Sequence, residues 1–150
     1  MAAPPVGARL SREIRLDAAA IRTTALHVGD LNPLHHSVEF AAASRFGELI
    51  ASGAYTSGLL AGLLSEGFGD EAADGLGHVG VDYRVRFIGP VRVDRLMRLD
   101  WTVIGVEPRR FGTLARLEGR IVDTTDGAIA VSADMTLLYF VQAHQSRAGA

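Results

Sequence analysis

The second half of the chain contains several stretches in which apolar and polar residues alternate. The stretch from Val79 to Phe87 reads VGVDYRVRF, with apolar side chains at the odd positions. The same alternation returns in residues 97–103 and 131–139, and more weakly in residues 115–122. A period of two is typical of a β-strand with one buried face and one face in solvent. Because short turn signals separate the stretches, we predict an antiparallel meander of these strands.

The first half has a helical pattern instead. Asp17 and Ser37 are candidate N-caps of two short helices, and Gly47 is the expected end of the second. A third, more apolar helix is expected from about Gly53 to Gly67. Together the two halves predict an α+β fold in which an antiparallel sheet wraps around one long helix.

Two glycine patterns need an interpretation. Gly58 and Gly62 lie four residues apart on the third helix, and we expect them to form a smooth stripe against which the sheet packs closely. The segment GLGHVG, Gly75 to Gly80, matches the dinucleotide-binding pattern G-x-G-x-x-G. That motif works where it follows a strand and opens a helix. Here it precedes a predicted strand, so we interpret it as a flexible loop without a nucleotide.

Composition limits the partners and the chemistry. The 150 residues are 48% hydrophobic and 21% charged, which is typical of one globular domain. The net charge of -2 gives no basic field to attract nucleic acid or anionic lipid. There is no cysteine, which excludes disulfides and thiolate chemistry. The longest uncharged run, Leu49 to Ser65, is shorter than a membrane span of about 20 residues. We therefore expect one cytoplasmic domain over residues 1–150, with flexible tails outside a core of about residues 10–140.

The segment HVGDLNPLHHSVEF, His27 to Phe40, carries the densest polar chemistry. Pro33 forbids a continuous helix and biases Asn32 toward an extended conformation. The kink can turn Asp30 and His35 toward one water molecule, as general acid–base catalysis requires. The same spacing also fits a corner between two helices, in which Asp30 only caps a turn. Spacing alone leaves both interpretations open. The histidines lack the spacing of a metal-binding motif, so we expect neither a metal site nor another cofactor.

The core of this segment, GDLNPLH, resembles the signature G-D-x-N-P-[LIV]-H of the MaoC-like dehydratases, the (R)-specific enoyl-CoA hydratases. The similarity continues through SRFGELIASGAYTSGLL and VRFIGPVRVDRLMRLDWTV, and it covers roughly residues 10–140. It implies the hot-dog fold, an antiparallel sheet around a long central helix, with a helical overhang that carries the motif.

The resemblance also implies a reaction, the addition of water to a 2-enoyl thioester or its removal from an (R)-3-hydroxyacyl thioester. The thioester would be presented by CoA or by an acyl-carrier protein. Asp30 and His35 would form the acid–base pair, supported by Asn32 and Pro33. The Gly53 N–H, at a helix N-terminus, would stabilise the negative charge that develops on the thioester oxygen.

The remaining expectations concern substrate binding and assembly. The apolar and basic residues expected to contact the acyl chain and the phosphates of the carrier are Leu34, Phe40, Phe46, Tyr55, Arg84 and Arg86. Hot-dog domains generally pair, so a homodimer is expected, which would also cover an exposed sheet edge. His36 has no role in the resemblance, and we expect it to be a surface histidine.

Two other functions stay open. A thioesterase of the same fold would commonly carry a carboxylate on the central helix, and the chain has none between Gly53 and Ser65. A non-catalytic hot-dog subunit or ligand-binding module would keep the fold without needing the intact pair of Asp30 and His35.

Overall fold

The computed structural model describes residues 3–68 and 76–141, which form a five-stranded antiparallel sheet and several helices. The strands are β1 (Arg9–Arg15), β2 (Leu76–Phe87), β3 (Leu96–Arg109), β4 (Gly112–Asp123) and β5 (Ile129–Val141). The helices are α1 (Ala18–His27), a 3-10 turn (Pro33–His35), α2 (Val38–Ala43) and α3 (Gly53–Gly67). The architecture is the predicted hot-dog fold, in which the sheet packs around α3.

The order of the strands in the sheet is β1-β3-β4-β5-β2, so the predicted meander is correct only for β3, β4 and β5. The chain passes from β2 into β3, yet β2 pairs with β5 at the far edge, with Tyr83 opposite Met135. β1 was not predicted, because its inward-facing positions, Leu10, Arg12 and Ile14, include a charged residue. Arg12 forms an ion pair with Glu66 near the end of α3, at 2.5 Å.

The helix starts follow the predicted caps. The Asp17 carboxylate accepts a hydrogen bond from the Ala20 N–H at 2.7 Å, and the Ser37 hydroxyl accepts one from the Phe40 N–H at 3.1 Å. α3 has the expected bounds. α2 ends at Ala43 rather than at Gly47, because the Ser44 side chain makes a turn that bonds both to the Ala41 carbonyl and to the Phe46 N–H.

Two side chains of the sheet hold α3 in the core. The Trp101 indole N–H donates to the Leu60 carbonyl at 2.8 Å, and the Tyr83 hydroxyl donates to the Ser57 carbonyl at 2.8 Å. Burial raises the pKa of Tyr83 to about 12, so the phenol remains a neutral donor at physiological pH. The helix is thus fixed to both β2 and β3.

Both glycine interpretations need correction. Gly58 and Gly62 are exposed, and a Cβ at either position would meet nothing within 4 Å, because α3 turns its leucines and not this stripe toward the sheet. Residues 77–80 of the GLGHVG segment lie in β2, paired with β5, and not in a loop. Gly75 lies outside the described residues.

The chain before β1 packs against the sheet from Ala3 onward. Ala3 is buried in the core cluster, and the Gly7 N–H donates to the Val103 carbonyl at 2.8 Å. The expected C-terminal tail, residues 142–150, lies outside the described residues. Within the ranges 3–68 and 76–141, no helix has the length and apolar character needed to cross a bilayer.

Candidate active site

The loop between α1 and the 3-10 turn is held by its own polar groups. Its first carboxylate, Asp30, accepts a hydrogen bond from the Asn32 N–H at 3.0 Å. The Asn32 side chain then accepts one from the Leu34 N–H at 3.1 Å, which caps the 3-10 turn that Pro33 begins. This is the local effect of the Asn-Pro pair, since a proline at the first helical position requires no N–H partner. Asn32 and Pro33 therefore support the loop, and the Asn32 N–H orients the Asp30 carboxylate.

Asp30 and His35 converge at the end of this loop. Asp30 Oδ2 lies 3.5 Å from His35 Nε2, which is longer than a good N–H···O bond. The imidazole is buried, with 7% of the residue exposed, whereas the carboxylate keeps 31% of its side chain exposed. The two groups are therefore close enough to act on the same small molecule.

The protonation of His35 follows from its second nitrogen. Nδ1 lies 2.8 Å from the Ile50 carbonyl oxygen, and because a carbonyl only accepts, Nδ1 must carry a proton. In the neutral imidazole Nε2 then carries the lone pair, and it faces Asp30. This arrangement can take a proton at Nε2 and return it, as an acid–base group requires.

The segment that carries Ile50 is itself fixed from two sides. The Ile50 N–H donates to the Leu34 carbonyl at 3.3 Å, and the Ala51 N–H donates to the Val91 carbonyl at 2.8 Å. The motif loop, the approach to α3 and the connection from β2 to β3 are thus joined by backbone hydrogen bonds. Such a frame limits the movement of His35 relative to α3.

Gly53 occupies the first position of α3. The buried Ser52 caps the helix by accepting a hydrogen bond from the Tyr55 N–H at 3.2 Å. Among the hydrogen bonds of the described residues, none uses the Gly53 N–H, which lies at the positive end of the helix dipole. A Cβ at this position would lie 2.7 Å from Phe87 Cζ. Glycine is thus the residue that allows both the close approach of Phe87 and access to the main chain.

A cavity of about 430 Å³ lies beside His35 and Gly53, and Asp30 is not among its lining residues. Five of its lining residues were predicted for the site, namely Asn32, Leu34, His35, Phe46 and Gly53. Others were not predicted, including Arg45, Thr56, Phe87 and Val91. Most of the lining side chains are apolar, and the polar ones are Asn32, His35, Arg45 and Thr56.

Four predicted substrate-binding residues are not among those that line the cavity. Phe40 points from α2 into solvent, with 52% of its surface exposed, and Tyr55 packs against the core. Arg84 and Arg86 lie on the exposed face of β2, where Arg86 pairs with Asp134 at 2.9 Å. Strand alternation directs them to the face of the sheet opposite the helix, so the structure does not bring them to the site.

Arg45 is the arginine among the residues that line the cavity. It is exposed at the cavity, with its guanidinium 4.9 Å from the centre of the Phe46 ring. No carboxylate of the described residues forms an ion pair with it. A signal was present in the sequence, since Arg45 lies within the stretch SRFGELI that resembles the family.

His36 is not the surface residue that was expected. It is partly buried, and its Nε2 lies 2.6 Å from the backbone carbonyl oxygen of Asp30. Nothing in the local sequence pattern indicates this bond, because it joins residues six apart across the kink. In the described part of the chain there is also no cluster of three or more histidine or acidic residues that could hold a metal ion.

Comparison with known proteins matches most of this chain to one family. The family model described as "MaoC like domain" matches residues 3–125. The 3-hydroxybutyryl-CoA dehydratase of Methylorubrum extorquens is 35% identical over 82 residues, which are 55% of this chain and 49% of that protein. The chain therefore spans about half the length of this curated relative.

Solved structures show the same fold. The (R)-hydratase from A. caviae involved in PHA biosynthesis superposes with a TM-score of 0.79 at 26% identity, covering 90% of this chain and 96% of that one. The MaoC-like dehydratase from Rhodospirillum rubrum gives a TM-score of 0.77 at 24% identity, covering 93% and 95%.

Proposed function

The chain belongs to the family of MaoC-like domains, and from this premise we propose that it is a hydro-lyase acting on an acyl thioester. It adds water to the 2,3-double bond of a 2-enoyl thioester, or removes water from a 3-hydroxyacyl thioester. The observation that carries the proposal is the convergence of Asp30 Oδ2 and His35 Nε2 at 3.5 Å, with the tautomer of His35 set by the Ile50 carbonyl.

In the proposed reaction, one water molecule forms hydrogen bonds to both groups. Its oxygen forms a bond to C3 while one of its protons passes to the Asp30–His35 pair. The electron pair of the double bond moves onto the thioester oxygen and gives an enolate. The enolate collapses when C2 accepts a proton from the pair, so the protons balance. The two groups act together, and the pair serves as both base and acid.

Gly53 supplies the complementary charge stabilisation. Its unused N–H, at the N-terminus of α3, donates to the thioester oxygen as negative charge develops there. Because this donor is part of a helix fixed to the sheet, it needs no reorganisation during the reaction. Glycine at this position also lets the thioester approach the backbone.

Separate observations support the acyl chain, the CoA carrier and the configuration of the proposed substrate. The apolar part of the cavity, including Leu34, Phe46 and Val91, suits an acyl chain. Arg45, without an acidic partner in the described residues, suits the phosphates of a CoA carrier. The (R) configuration at C3 is proposed from the similarity to the A. caviae (R)-hydratase.

We also propose a homodimer. The sheet order leaves β2 as an edge strand, and its exposed residues include Val79 and Val81. A long edge with apolar side chains is a site of pairing with another chain, and two antiparallel copies of β2 can satisfy a twofold axis.

Hydration assays test the activity. The purified protein is mixed with crotonyl-CoA and with longer enoyl-CoAs, and loss of the conjugated thioester absorbance is followed. Asp30→Asn and His35→Ala should each lower kcat/KM by at least about 10²-fold, the usual contribution of an acid–base group. His27→Ala and Asp126→Asn, which change the same residue types away from the cavity, should leave the rate within about twofold. Chiral chromatography of the released 3-hydroxy acid then tests the configuration.

Three results would contradict the proposal. Hydration that survives both changes at the pair would remove Asp30 and His35 from the chemistry. A wild-type protein without activity on any enoyl thioester, but with saturable binding of acyl-CoA, would indicate a non-catalytic binding module. Release of free CoA at a useful rate would indicate a thioesterase instead.

A further inference from the structure

We propose that His36 is a positioning residue, which fixes the backbone of Asp30 so that the carboxylate stays in place opposite His35. The inference rests on the proposed hydration function and adds a residue to its machinery. His36 does not contact the reacting atoms in this scheme. It acts through Asp30 alone.

The first support is the bond itself. His36 Nε2 lies 2.6 Å from the Asp30 carbonyl oxygen. Because a carbonyl oxygen only accepts, Nε2 must be the protonated nitrogen. The bond is available to both the neutral imidazole and the imidazolium. His36 can therefore hold Asp30 over a wide pH range.

The second support is that His36 closes the motif loop on itself. The bond joins residues 30 and 36, so it spans the whole kink that contains Asn32 and Pro33. Asp30 is otherwise held by its N–H, which donates to the Ala25 carbonyl at 2.9 Å, and by the Asn32 N–H on its carboxylate. Without His36, the carbonyl of Asp30 loses its partner in the described structure, and the peptide group that follows Asp30 is less restrained.

The third support is that His36 is anchored in turn. Its backbone N–H donates to the Pro33 carbonyl at 3.1 Å, and its own carbonyl accepts a hydrogen bond from Arg22 Nε at 2.9 Å. Arg22 lies on α1, so the loop is tied at its far end to the helix that precedes it. His36 is therefore held in place at the end of the loop. Its side chain in turn restrains Asp30 at the start of the loop.

The two adjacent histidines use opposite nitrogens. His35 donates from Nδ1 to the Ile50 carbonyl and presents Nε2 to the carboxylate. His36 donates from Nε2 to the Asp30 carbonyl. This division of roles gives the second imidazole a purpose of its own. A misplacement of about 1 Å at a catalytic group can cost 10²-fold in rate, so the restraint has a measurable consequence.

The experiment compares two substitutions at residue 36. In His36→Gln, the side-chain amide nitrogen can reach the place of the imidazole Nε2 and keep the donor. His36→Phe keeps a planar ring of similar size without a donor. We expect His36→Phe to lower kcat for crotonyl-CoA by about tenfold or more, with KM changed by less than about twofold, and His36→Gln to recover most of the loss. His27→Phe is the matched control, and it should leave both constants unchanged.

A pH–rate profile adds a readout that a merely structural role would not move. A displaced carboxylate interacts differently with His35, so the apparent pKa values of kcat should shift in His36→Phe and return in His36→Gln. Equal kcat values and equal profiles for wild type and His36→Phe would overturn the proposal. So would a His36→Gln protein as slow as His36→Phe with the wild-type profile.

A second measurement does not depend on activity. Nitrogen NMR of ¹⁵N-histidine-labelled protein reports which nitrogen of each imidazole is protonated. The expected result is protonated Nε2 at His36 and protonated Nδ1 at His35, assigned with the substituted proteins. If wild type hydrates no enoyl thioester, the proposed function has failed. Protonated Nε2 at His36 would still support its hydrogen bond to the Asp30 carbonyl. A neutral His36 that is protonated only at Nδ1 would overturn the proposed role of His36. This test still applies if His36→Phe does not fold.

Discussion

At the scale of single residues, the start of α3 is the place where the cavity, the helix dipole and an aromatic ring meet. Gly53 has an ordinary backbone conformation, so its value lies in the space it leaves and not in unusual dihedral angles. The Phe87 ring fills the position that a Cβ would take. Phe87 is exposed at the edge of the cavity, so it can move aside at little cost. A side chain at residue 53 should therefore harm the chemistry more than the fold.

This argument predicts the behaviour of Gly53→Ala. The methyl group would displace the Phe87 ring and occupy the approach to the Gly53 N–H, so kcat/KM for an enoyl-CoA should fall by about tenfold or more. Thermal stability should change little. Gly58→Ala is the matched control on the same helix, since a Cβ there meets nothing within 4 Å. It should keep full activity and stabilise the protein by about 0.5–1 kcal/mol. Equal activity of the two variants would contradict the role of Gly53.

The loop of the candidate site could be predicted from the sequence because the motif keeps its residues within a few positions of one another. Asp30, His35 and Asn32 are within six positions, and their contacts are set by local backbone geometry. His36 and Arg45 could not be assigned in the same way. The bond of His36 depends on the exact closure of the kink, and the position of Arg45 depends on how α2 ends. Arg84 and Arg86 were assigned to the carrier phosphates from their charge, but they lie on the exposed face of β2 and do not line the cavity.

At the scale of elements, one tight contact joins β3, β4 and α3. Trp101 on β3 pairs directly with Gly119 on β4, and its ring covers the glycine. A Cβ at residue 119 would lie 2.6 Å from the indole Cε3. The indole cannot turn away easily, because it is fully buried and its N–H is bonded to the Leu60 carbonyl. The strand pair and the helix thus share one rigid contact.

Gly119→Ala should therefore destabilise the protein. Overpacking a rigid core position costs about 1–3 kcal/mol, and urea unfolding followed by Trp101 fluorescence measures it. Gly80→Ala is the strand control, because a Cβ there would make an ordinary contact with the Met135 sulfur at 3.6 Å. The free energy of unfolding of that variant should lie within about 0.5 kcal/mol of the wild-type value. Coincident unfolding curves for both variants would show that the indole can move.

The elements that were predicted correctly are those whose pattern is strong and local. α3, β2, β3 and β5 combine clear periodicity with caps or turns, and β4 has a weaker alternation bounded by turns. β1 was missed because its inward face carries Arg12, whose charge is neutralised by Glu66 on another element. The predicted position of β2 in the sheet was wrong for a similar reason. Pairing with β5 is a contact between distant parts of the chain, and no local signal distinguishes it from pairing with β3.

At the scale of the whole molecule, the sheet has two edges of unequal length. β1 contributes 7 residues and β2 contributes 12. The longer edge carries two exposed valines, Val79 and Val81, at 46% and 53% exposure. Unpaired backbone groups beside apolar side chains favour association. A twofold axis at this edge would join the sheets of two chains into one.

The dimer proposed on this basis predicts the effect of charge at the edge. Wild type should sediment with the mass of two chains at micromolar concentration, and the double variant Val79→Lys/Val81→Lys should sediment as a monomer. The reason is that lysines from both chains would face one another at the axis, where like charges repel and desolvation is costly.

The matched control is Ile104→Lys/Val106→Lys on β3, where β4 already pairs with the strand. Both control positions are also exposed, so this variant should remain a dimer. A monomeric wild type, or a dimer that survives the change at Val79 and Val81, would exclude β2 as the interface.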